Sequence, residues 1–214
     1  MDDIIIKIEN VTKRFKKATV LDNISTEFER GRIHGLVGRN GSGKTVLMKC
    51  ICGLVPVTEG TITVDGKIIG KDTDIPESLG MIIEAPGFLP HYSAFRNLKF
   101  LASIRGNIGD MEIRQAIKTV GLDPDSNKHV GKFSLGMRQR LGLAQAFMEN
   151  PDLLVLDEPM NGLDNRGVEE IRDILTELKL QGKTILIASH SKEDIEILCD
   201  TVHIMDKGKF ISLH

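Results

Sequence analysis

A glycine-rich octapeptide at residues 38–45 gives the clearest indication of chemistry in the sequence. Glycines let the backbone fold around an anion so that successive N–H groups point inward. Lys44 would reach the β- and γ-phosphates of a nucleotide, and the Thr45 hydroxyl would ligate Mg²⁺. The sequence therefore predicts a nucleoside triphosphate site. The octapeptide matches G-x-x-x-x-G-K-[ST] at every fixed position and reads Gly38-Arg39-Asn40-Gly41-Ser42-Gly43-Lys44-Thr45.

Two adjacent carboxylates, Asp157 and Glu158, follow an apolar run at residues 153–156. Such a run is typical of a central parallel strand that is buried on both faces, so the carboxylates would lie at the end of a strand. Asp157 would hold Mg²⁺, directly or through water, and Glu158 would polarise a water for in-line attack on the γ-phosphate. The alternative is a carboxylate pair that only solvates the strand end.

A third segment, from Ser134 to Gly136, could form a second anion site. Ser134 is a favourable N-cap for a helix with apolar residues at positions 137, 141, 144 and 148. The Ser134 hydroxyl, the Gly136 N–H and the positive end of the helix would together suit an anion. An ordinary helix cap is the alternative. The position of Ser134, 23 residues before Asp157, favours the anion site.

The elements that must position these residues are predicted by hydrophobic periodicity. Alternating or continuous apolar residues predict strands at 4–9, 20–29, 32–37, 61–66, 80–84, 153–156, 184–188 and 201–205, with a helix over 46–54 directly after the octapeptide. A helical pattern runs from about residue 93 to 149. Alternation of buried strands with helices is typical of α/β proteins, in which ligands bind at the carboxyl ends of the strands.

We therefore predict an α/β fold with a phosphate-loop core, a mostly parallel sheet, an N-terminal antiparallel β subdomain and an inserted α-helical subdomain. The chain would form one domain over residues 1–214. Its nucleotide-binding core would cover roughly 1–84 and 151–214, and the helical subdomain roughly 85–150.

The composition is typical of a globular protein. Hydrophobic residues make up 41% of the 214 residues and charged residues 27%. The net charge of −2 gives no strong field toward nucleic acid or anionic lipid, which by itself excludes neither partner. No nucleic-acid partner is expected. No run approaches the ~20 apolar residues that cross a bilayer.

The three cysteines, Cys50, Cys52 and Cys199, lack zinc-ligand spacing and favour free thiols in a reducing compartment. We expect a cytoplasmic protein that does not itself cross a membrane, so any membrane role must come through a partner.

The chemical segments, taken in order, resemble the ATP-binding cassette (ABC) family. The resemblance covers nearly the whole chain and implies that two such domains, most simply two copies of this chain, face each other head to tail around two ATP molecules. Each ATP would lie between the phosphate loop of one copy and Ser134–Gly136 of the other. The matching segments are residues 38–45, Phe133–Met137, Leu153–Glu158, Asn161–Asp164 and His190.

The resemblance also implies roles for three further residues. Asp164 would make contacts across the dimer, and His190 would hydrogen-bond the γ-phosphate and position the water beside Glu158. Phe15 stands where the family places an aromatic ring under the adenine. Without the resemblance, a lone histidine is more often structural or exposed, and Phe15 would be a packing residue.

Three positions depart from the usual family pattern. The common Leu-Ser-Gly-Gly-Gln is Phe133-Ser134-Leu135-Gly136-Met137 here, which keeps the serine and the second glycine. Glu84 replaces the glutamine that links the two subdomains. We expect its carboxylate to ligate Mg²⁺ while adding negative charge near the triphosphate. Phe15 replaces a frequent tyrosine, a mild change because stacking needs only the ring.

The resemblance is greatest to bacterial exporter cassettes for antibiotic or bacteriocin resistance. It implies an ATPase that binds ATP and Mg²⁺ and drives transport, which we expect to be export, through a separate integral membrane subunit. The alternative is a cassette ATPase without a transport role, such as one for iron–sulfur assembly. Chromosome-type heptad segments and a second, ribosome-type cassette do not occur in the sequence. A phosphate-loop kinase would explain residues 38–45 but not the later segments.

Overall fold

The computed structural model describes residues 3–16 and 18–213. Met1, Asp2, Lys17 and His214, which belong to the predicted domain 1–214, lie outside the described residues. The elements in chain order are β1 (Ile4–Phe15), β2 (Ala18–Glu29), β3 (Ile33–Val37), α1 (Lys44–Ile51), β4 (Glu59–Val64), β5 (Lys67–Ile68), β6 (Leu79–Ile82), α2 (Ala94–Arg105), α3 (Asp110–Thr119), a 3₁₀ turn (Val130–Lys132), α4 (Leu135–Phe147), β7 (Leu153–Asp157), α5 (Asn165–Leu180), β8 (Thr184–Ala188), α6 (Lys192–Leu198), β9 (Thr201–Asp206) and β10 (Lys209–Leu213).

The first sheet is antiparallel and has the strand order β2-β1-β4-β5. Its central strand β1 alternates as the sequence predicts, with Ile6 and Ile8 buried and Lys7 and Glu9 exposed. One face of this sheet therefore contributes to a core while the other meets solvent. The predicted N-terminal antiparallel β subdomain is confirmed.

The second sheet has six strands in the order β10-β9-β3-β8-β7-β6. Each adjacent pair from β9 to β6 is parallel, and β10 pairs antiparallel with β9 at one edge. Every residue of β8 is buried, as are residues 153–156 of β7, because helices or the first sheet cover both faces. The predicted α/β fold with a mostly parallel sheet is confirmed.

Helix α1 lies in the core beneath the first sheet. Leu47, Met48 and Ile51 are fully buried in a cluster that also contains residues of β1, β2, β3 and β7. The helix begins at Lys44 and ends at Ile51, so the predicted span of 46–54 was wrong at both ends. It ends early because Gly53 takes a left-handed φ of 76°.

Helices α2, α3 and α4 form a helical block between β6 and β7, and they pack on the other face of the parallel sheet. The bounds of the predicted helical subdomain, 85–150, stay a prediction. None of the helices in residues 3–16 and 18–213 is long and apolar enough to cross a membrane.

Two buried histidines join the sheets. His34 on β3 and His203 on β9 both lie against the fully buried ring of Phe28 on β2, with centroid separations of 5.2 and 4.7 Å. The His34 ring pairs with Thr201 Oγ1 at 2.7 Å and with the Glu29 carbonyl at 2.8 Å. Burial lowers the pKa of His34 from 6.5, and it lowers the pKa of His203 from 6.5 to about 4.

We predict that this junction makes the fold sensitive to acid. The unfolded chain takes up protons on both histidines near pH 6.5, whereas the folded chain resists protonation until lower pH, so stability present above pH 6.5 is lost as the pH falls. The free energy of unfolding should decrease by about 2 kcal/mol for His203 alone between pH 7 and pH 5. Urea unfolding at several pH values measures this decrease. The slope should flatten in His203→Gln and stay unchanged in the control His129→Gln, at an exposed site. Equal slopes in both variants would refute the assignment.

Candidate functional site

The phosphate loop connects β3 to α1 and has the backbone that an anion cradle needs. Gly41 and Gly43 take left-handed φ angles of 80° and 108°, which side chains rarely allow. A Cβ at Gly43 would lie 3.0 Å from the Val20 carbonyl oxygen, while a Cβ at Gly41 would meet open space. The loop residues line a cavity of about 360 Å³. Gly43 is therefore required by both conformation and packing.

Lys44 is folded back over this loop. Its buried ammonium donates to the Gly38 carbonyl at 2.6 Å and to the Arg39 carbonyl at 3.3 Å. These bonds hold the positive charge inside the curve of the loop, at the N-terminus of α1, where a phosphate would lie. The ammonium, the loop N–H groups and the helix end together present positive charge to the cavity.

Thr45 and Asp157 meet although they are 112 residues apart in sequence. The Thr45 Oγ1 donates to Asp157 Oδ2 at 2.7 Å. Hydroxyl and carboxylate oxygens are ligands that suit Mg²⁺, which usually keeps several waters and takes further ligands from phosphates. Within the described residues no group of three or more His, Cys, Asp or Glu side chains could enclose a metal. Thr45 and Asp157 therefore offer two oxygen ligands that suit a Mg²⁺ ion with further ligands from water and phosphate.

Glu158 and His190 form a second pair at the same edge of the sheet. The His190 Nδ1 lies 2.7 Å from Glu158 Oε2. Glu158 takes a left-handed φ of 50°, which is uncommon for a residue with a Cβ. Its backbone is held there by a bond from its N–H to the Ala188 carbonyl at 2.9 Å. The carboxylate contacts His190 and lines the phosphate-loop cavity, which suits a base that acts on water.

Ser134 and Gly136 lie at the N-terminus of α4 rather than in the phosphate loop. Ser134 caps α4, because its Oγ accepts the Met137 N–H at 3.2 Å. A Cβ at Gly136 would lie 2.9 Å from the Gly162 carbonyl oxygen, so this glycine allows a close approach of the two segments. Neither residue lines the cavity of the phosphate loop. Leu135, between these two residues, lines a neighbouring cavity of about 510 Å³ together with Asp157 and Glu158.

Asp164 and Phe15 have local partners in the chain. Asp164 caps α5, with its Oδ1 accepting the Gly167 N–H at 2.9 Å. Phe15, at the end of β1, is 44% exposed, and the Lys13 ammonium lies 4.7 Å from its ring centroid. An exposed ring suits a stacking role, although Phe15 is not among the residues that line the phosphate-loop cavity.

Glu84 does not join Thr45 and Asp157. Its Oε1 forms an ion pair with the Lys49 ammonium of α1 at 2.7 Å, and its φ of 62° is left-handed. Glu84 does share a cavity of about 510 Å³ with Asp157 and Glu158. The expected role of Glu84 as a Mg²⁺ ligand stays a prediction and would require the carboxylate to leave Lys49.

Sequence reasoning missed Gln139 and Lys49. The buried Gln139 of α4 donates to the Glu158 carbonyl at 3.2 Å, which links the helical block directly to the candidate base. Lys49 neutralises Glu84 from the phosphate-loop helix. A glutamine on a predicted apolar helix could have drawn attention as a buried polar residue, whereas no local pattern indicates the Lys49 contact.

The comparisons with known proteins agree with one another. The family model described as "ABC transporter" matches residues 21–161. The chain is 50% identical over 205 residues to the uncharacterized ABC transporter ATP-binding protein YybJ of Bacillus subtilis (strain 168), covering 96% of this chain and 94% of that protein. It is 40% identical over 209 residues to the bacitracin transport ATP-binding protein BcrA of Enterococcus faecalis, covering 97% and 68%.

A solved structure supports the fold. The dimeric structure of a post-hydrolysis state of the ATP-binding cassette MJ0796, bound to ADP and Pi, superposes with a TM-score of 0.89 and covers 98% of this chain and 97% of that chain. The identity is 22%, so this likeness concerns the fold alone.

We predict that removing the His190 imidazole separates hydrolysis from binding. His190→Ala should reduce the rate of ATP hydrolysis by about 100-fold, the usual loss for a proton-handling or water-positioning group. Nucleotide affinity should change little, because Lys44 and the loop stay intact. A phosphate-release assay and nucleotide titration measure the two quantities. The control, His91→Ala, alters an exposed histidine outside the residues that line this site and should behave as wild type. Hydrolysis by His190→Ala at the wild-type rate would show that His190 takes no part in hydrolysis.

Proposed function

The chain belongs to the ABC transporter family as one of its ATP-binding subunits, and from this premise we propose that it hydrolyses Mg²⁺-bound ATP to drive export. The observation that carries the proposal is the meeting of three pairs of groups at one edge of the parallel sheet. These are the loop with Lys44, Thr45 with Asp157, and Glu158 with His190. They supply phosphate binding, metal ligation and water activation respectively.

The residues support a division of labour during hydrolysis. Lys44 and the loop N–H groups bind the β- and γ-phosphates, and α1 adds its positive end. Glu158 accepts a proton from the attacking water while His190 holds that water and the γ-phosphate. Phe15 stacks on the adenine. Mg²⁺ would be held by Thr45 and Asp157, and when bound it neutralises charge on the phosphate oxygens.

We propose that the complete ATP site contains two copies of the cassette. The support is that Ser134 and Gly136 do not line the phosphate-loop cavity of their own chain, together with their position at the N-terminus of α4, which suits an anion. In a head-to-tail dimer they would close over the γ-phosphate of the partner's nucleotide. Asp164, exposed at the start of α5, would contact the partner across the same interface.

We propose that the protein is cytoplasmic and attaches to a separate membrane subunit through the helical block. An exposed apolar patch on this block consists of Tyr92, Phe100 and Ile104. Phe100 and Ile104 lie one turn apart on α2, and the rings of Tyr92 and Phe100 pack edge to face at 5.1 Å. Exposed apolar patches of this kind are typical of protein interfaces. Because BcrA is named for bacitracin transport, a peptide antibiotic is the substrate class to test first.

A tagged pull-down from detergent-solubilised membranes of the native host tests this proposal. We predict recovery of a polytopic membrane protein in roughly equal amount, identified by mass spectrometry. Ile104→Asp should lose it, because a charge would be buried at the interface. The control Ile211→Asp alters an exposed residue on β10, away from the patch, and should retain it. Recovery of soluble partners alone would overturn the transport proposal and leave the nucleotide chemistry standing.

A further inference from the structure

His190 is held in place by its backbone rather than by packing of its own ring. The side chain is 76% exposed, and its Nδ1 contacts Glu158 Oε2 at 2.7 Å. An exposed imidazole has several accessible rotamers, so its orientation depends on how firmly the turn at residues 189–191 is fixed. The contacts of that turn therefore bear directly on the Glu158–His190 pair.

A buried serine fixes this turn from beneath. The Ser189 hydroxyl accepts the Ser191 N–H at 3.1 Å and lies 3.4 Å from Asp194 Oδ2, to which it donates. The Ser191 hydroxyl in turn accepts the Asp194 N–H at 3.3 Å and so caps the N-terminus of α6. The two residues that flank His190 are thus both bonded to Asp194.

Asp194 is itself held by an arginine from another helix. Its carboxylate is 5% exposed, and Oδ1 accepts from Arg172 Nε at 3.0 Å and from Arg172 Nη2 at 2.5 Å. Arg172 lies on α5 and also pairs with Glu193 at 3.1 Å. The forked guanidinium fixes direction as well as distance, which a single ammonium does not.

The ion pair connects the segments that carry the two candidate catalytic residues. Helix α5 follows directly on the segment after Glu158, while Asp194 belongs to the segment after His190. Arg172, Glu158 and His190 all line one cavity of about 440 Å³. A buried ion pair gives little net stability, because removing two charges from water offsets their attraction. Its benefit here is a fixed geometry.

We propose that Arg172 and Asp194 are positioning residues that set the His190 imidazole against Glu158 through the Ser189 hydroxyl. The inference rests on the proposed function, in which Glu158 and His190 act on the water and the γ-phosphate. Loss of the ion pair releases the turn, the imidazole samples other rotamers, and hydrolysis slows while the nucleotide still binds.

The test combines hydrolysis kinetics with NMR of ¹⁵N-histidine-labelled full-length protein. Arg172→Met keeps the apolar stem of the side chain and should lower kcat by about 10-fold or more, with nucleotide affinity within about 2-fold of wild type. The His190 imidazole resonances, assigned by their loss in His190→Ala, should move toward those of a solvated ring. Arg172→Lys should recover part of kcat and part of the shift.

The matched control is Arg166→Met, which breaks the exposed pair between Arg166 and Glu170 on the same helix and should leave kcat and the His190 resonances unchanged. If Arg172→Met does not fold, Ser189→Ala removes only the connecting hydroxyl and should give the same two effects. Normal kcat with unchanged His190 resonances in a folded Arg172→Met or Ser189→Ala variant would overturn the positioning role alone. Normal hydrolysis by His190→Ala would overturn the role of His190 in the proposed function as well.

Discussion

The parallel pairing of β3, β8 and β7 is the constraint on which the rest of the site depends. Leu36 of β3 and Asp157 of β7 both lie opposite Ala188 of β8 in the ladder. Three chain segments that are far apart in sequence therefore leave the sheet at the same level, and their loops meet. The hydrogen bond from the Glu158 N–H to the Ala188 carbonyl continues the contact between β7 and β8 one residue past the end of β7. At this residue the backbone takes its left-handed φ. A register shift in β7 would separate Thr45 from Asp157 and Glu158 from His190 together.

One chain contributes two unlike parts to the ATP sites that we propose. Its positive groups, Lys44 and the start of α1, surround the phosphate cavity, whereas the second anion segment caps a helix in the helical block. Gln139 bridges the two regions, since it extends from α4, the helix that Ser134 caps, to the Glu158 carbonyl. Movement of the helical block would thus act on the candidate base as well as on the membrane partner. The ion pair between Lys49 and Glu84 is a second connection between the phosphate-loop helix and the segment that leads into that block.

The sequence predicted the features that depend on local pattern or on strand order. The loop at 38–45 is a contiguous motif, and the contact of Thr45 with Asp157 follows from parallel strands that end at one edge. The end of α1 was wrong because Leu54 continues the apolar spacing although Gly53 leaves the helix. Gln139, Lys49 and Arg172 could not be assigned, because their roles come from side chains that meet only in the folded chain. The antiparallel sheet was predictable from the alternation in β1, while the histidine junction beneath it was not.

In the dimer that we propose, ATP lies between the phosphate loop of one chain and Ser134–Gly136 of the other. Sedimentation of Glu158→Gln with and without ATP tests this arrangement, because the change keeps the nucleotide contacts and removes the base. We predict a monomer without ATP and a dimer with it, and a monomer under both conditions when Ser134→Arg is added, with nucleotide binding retained. A Glu158→Gln protein that binds ATP and stays monomeric, or a dimer that tolerates Ser134→Arg, would show that the two chains do not enclose ATP in this way.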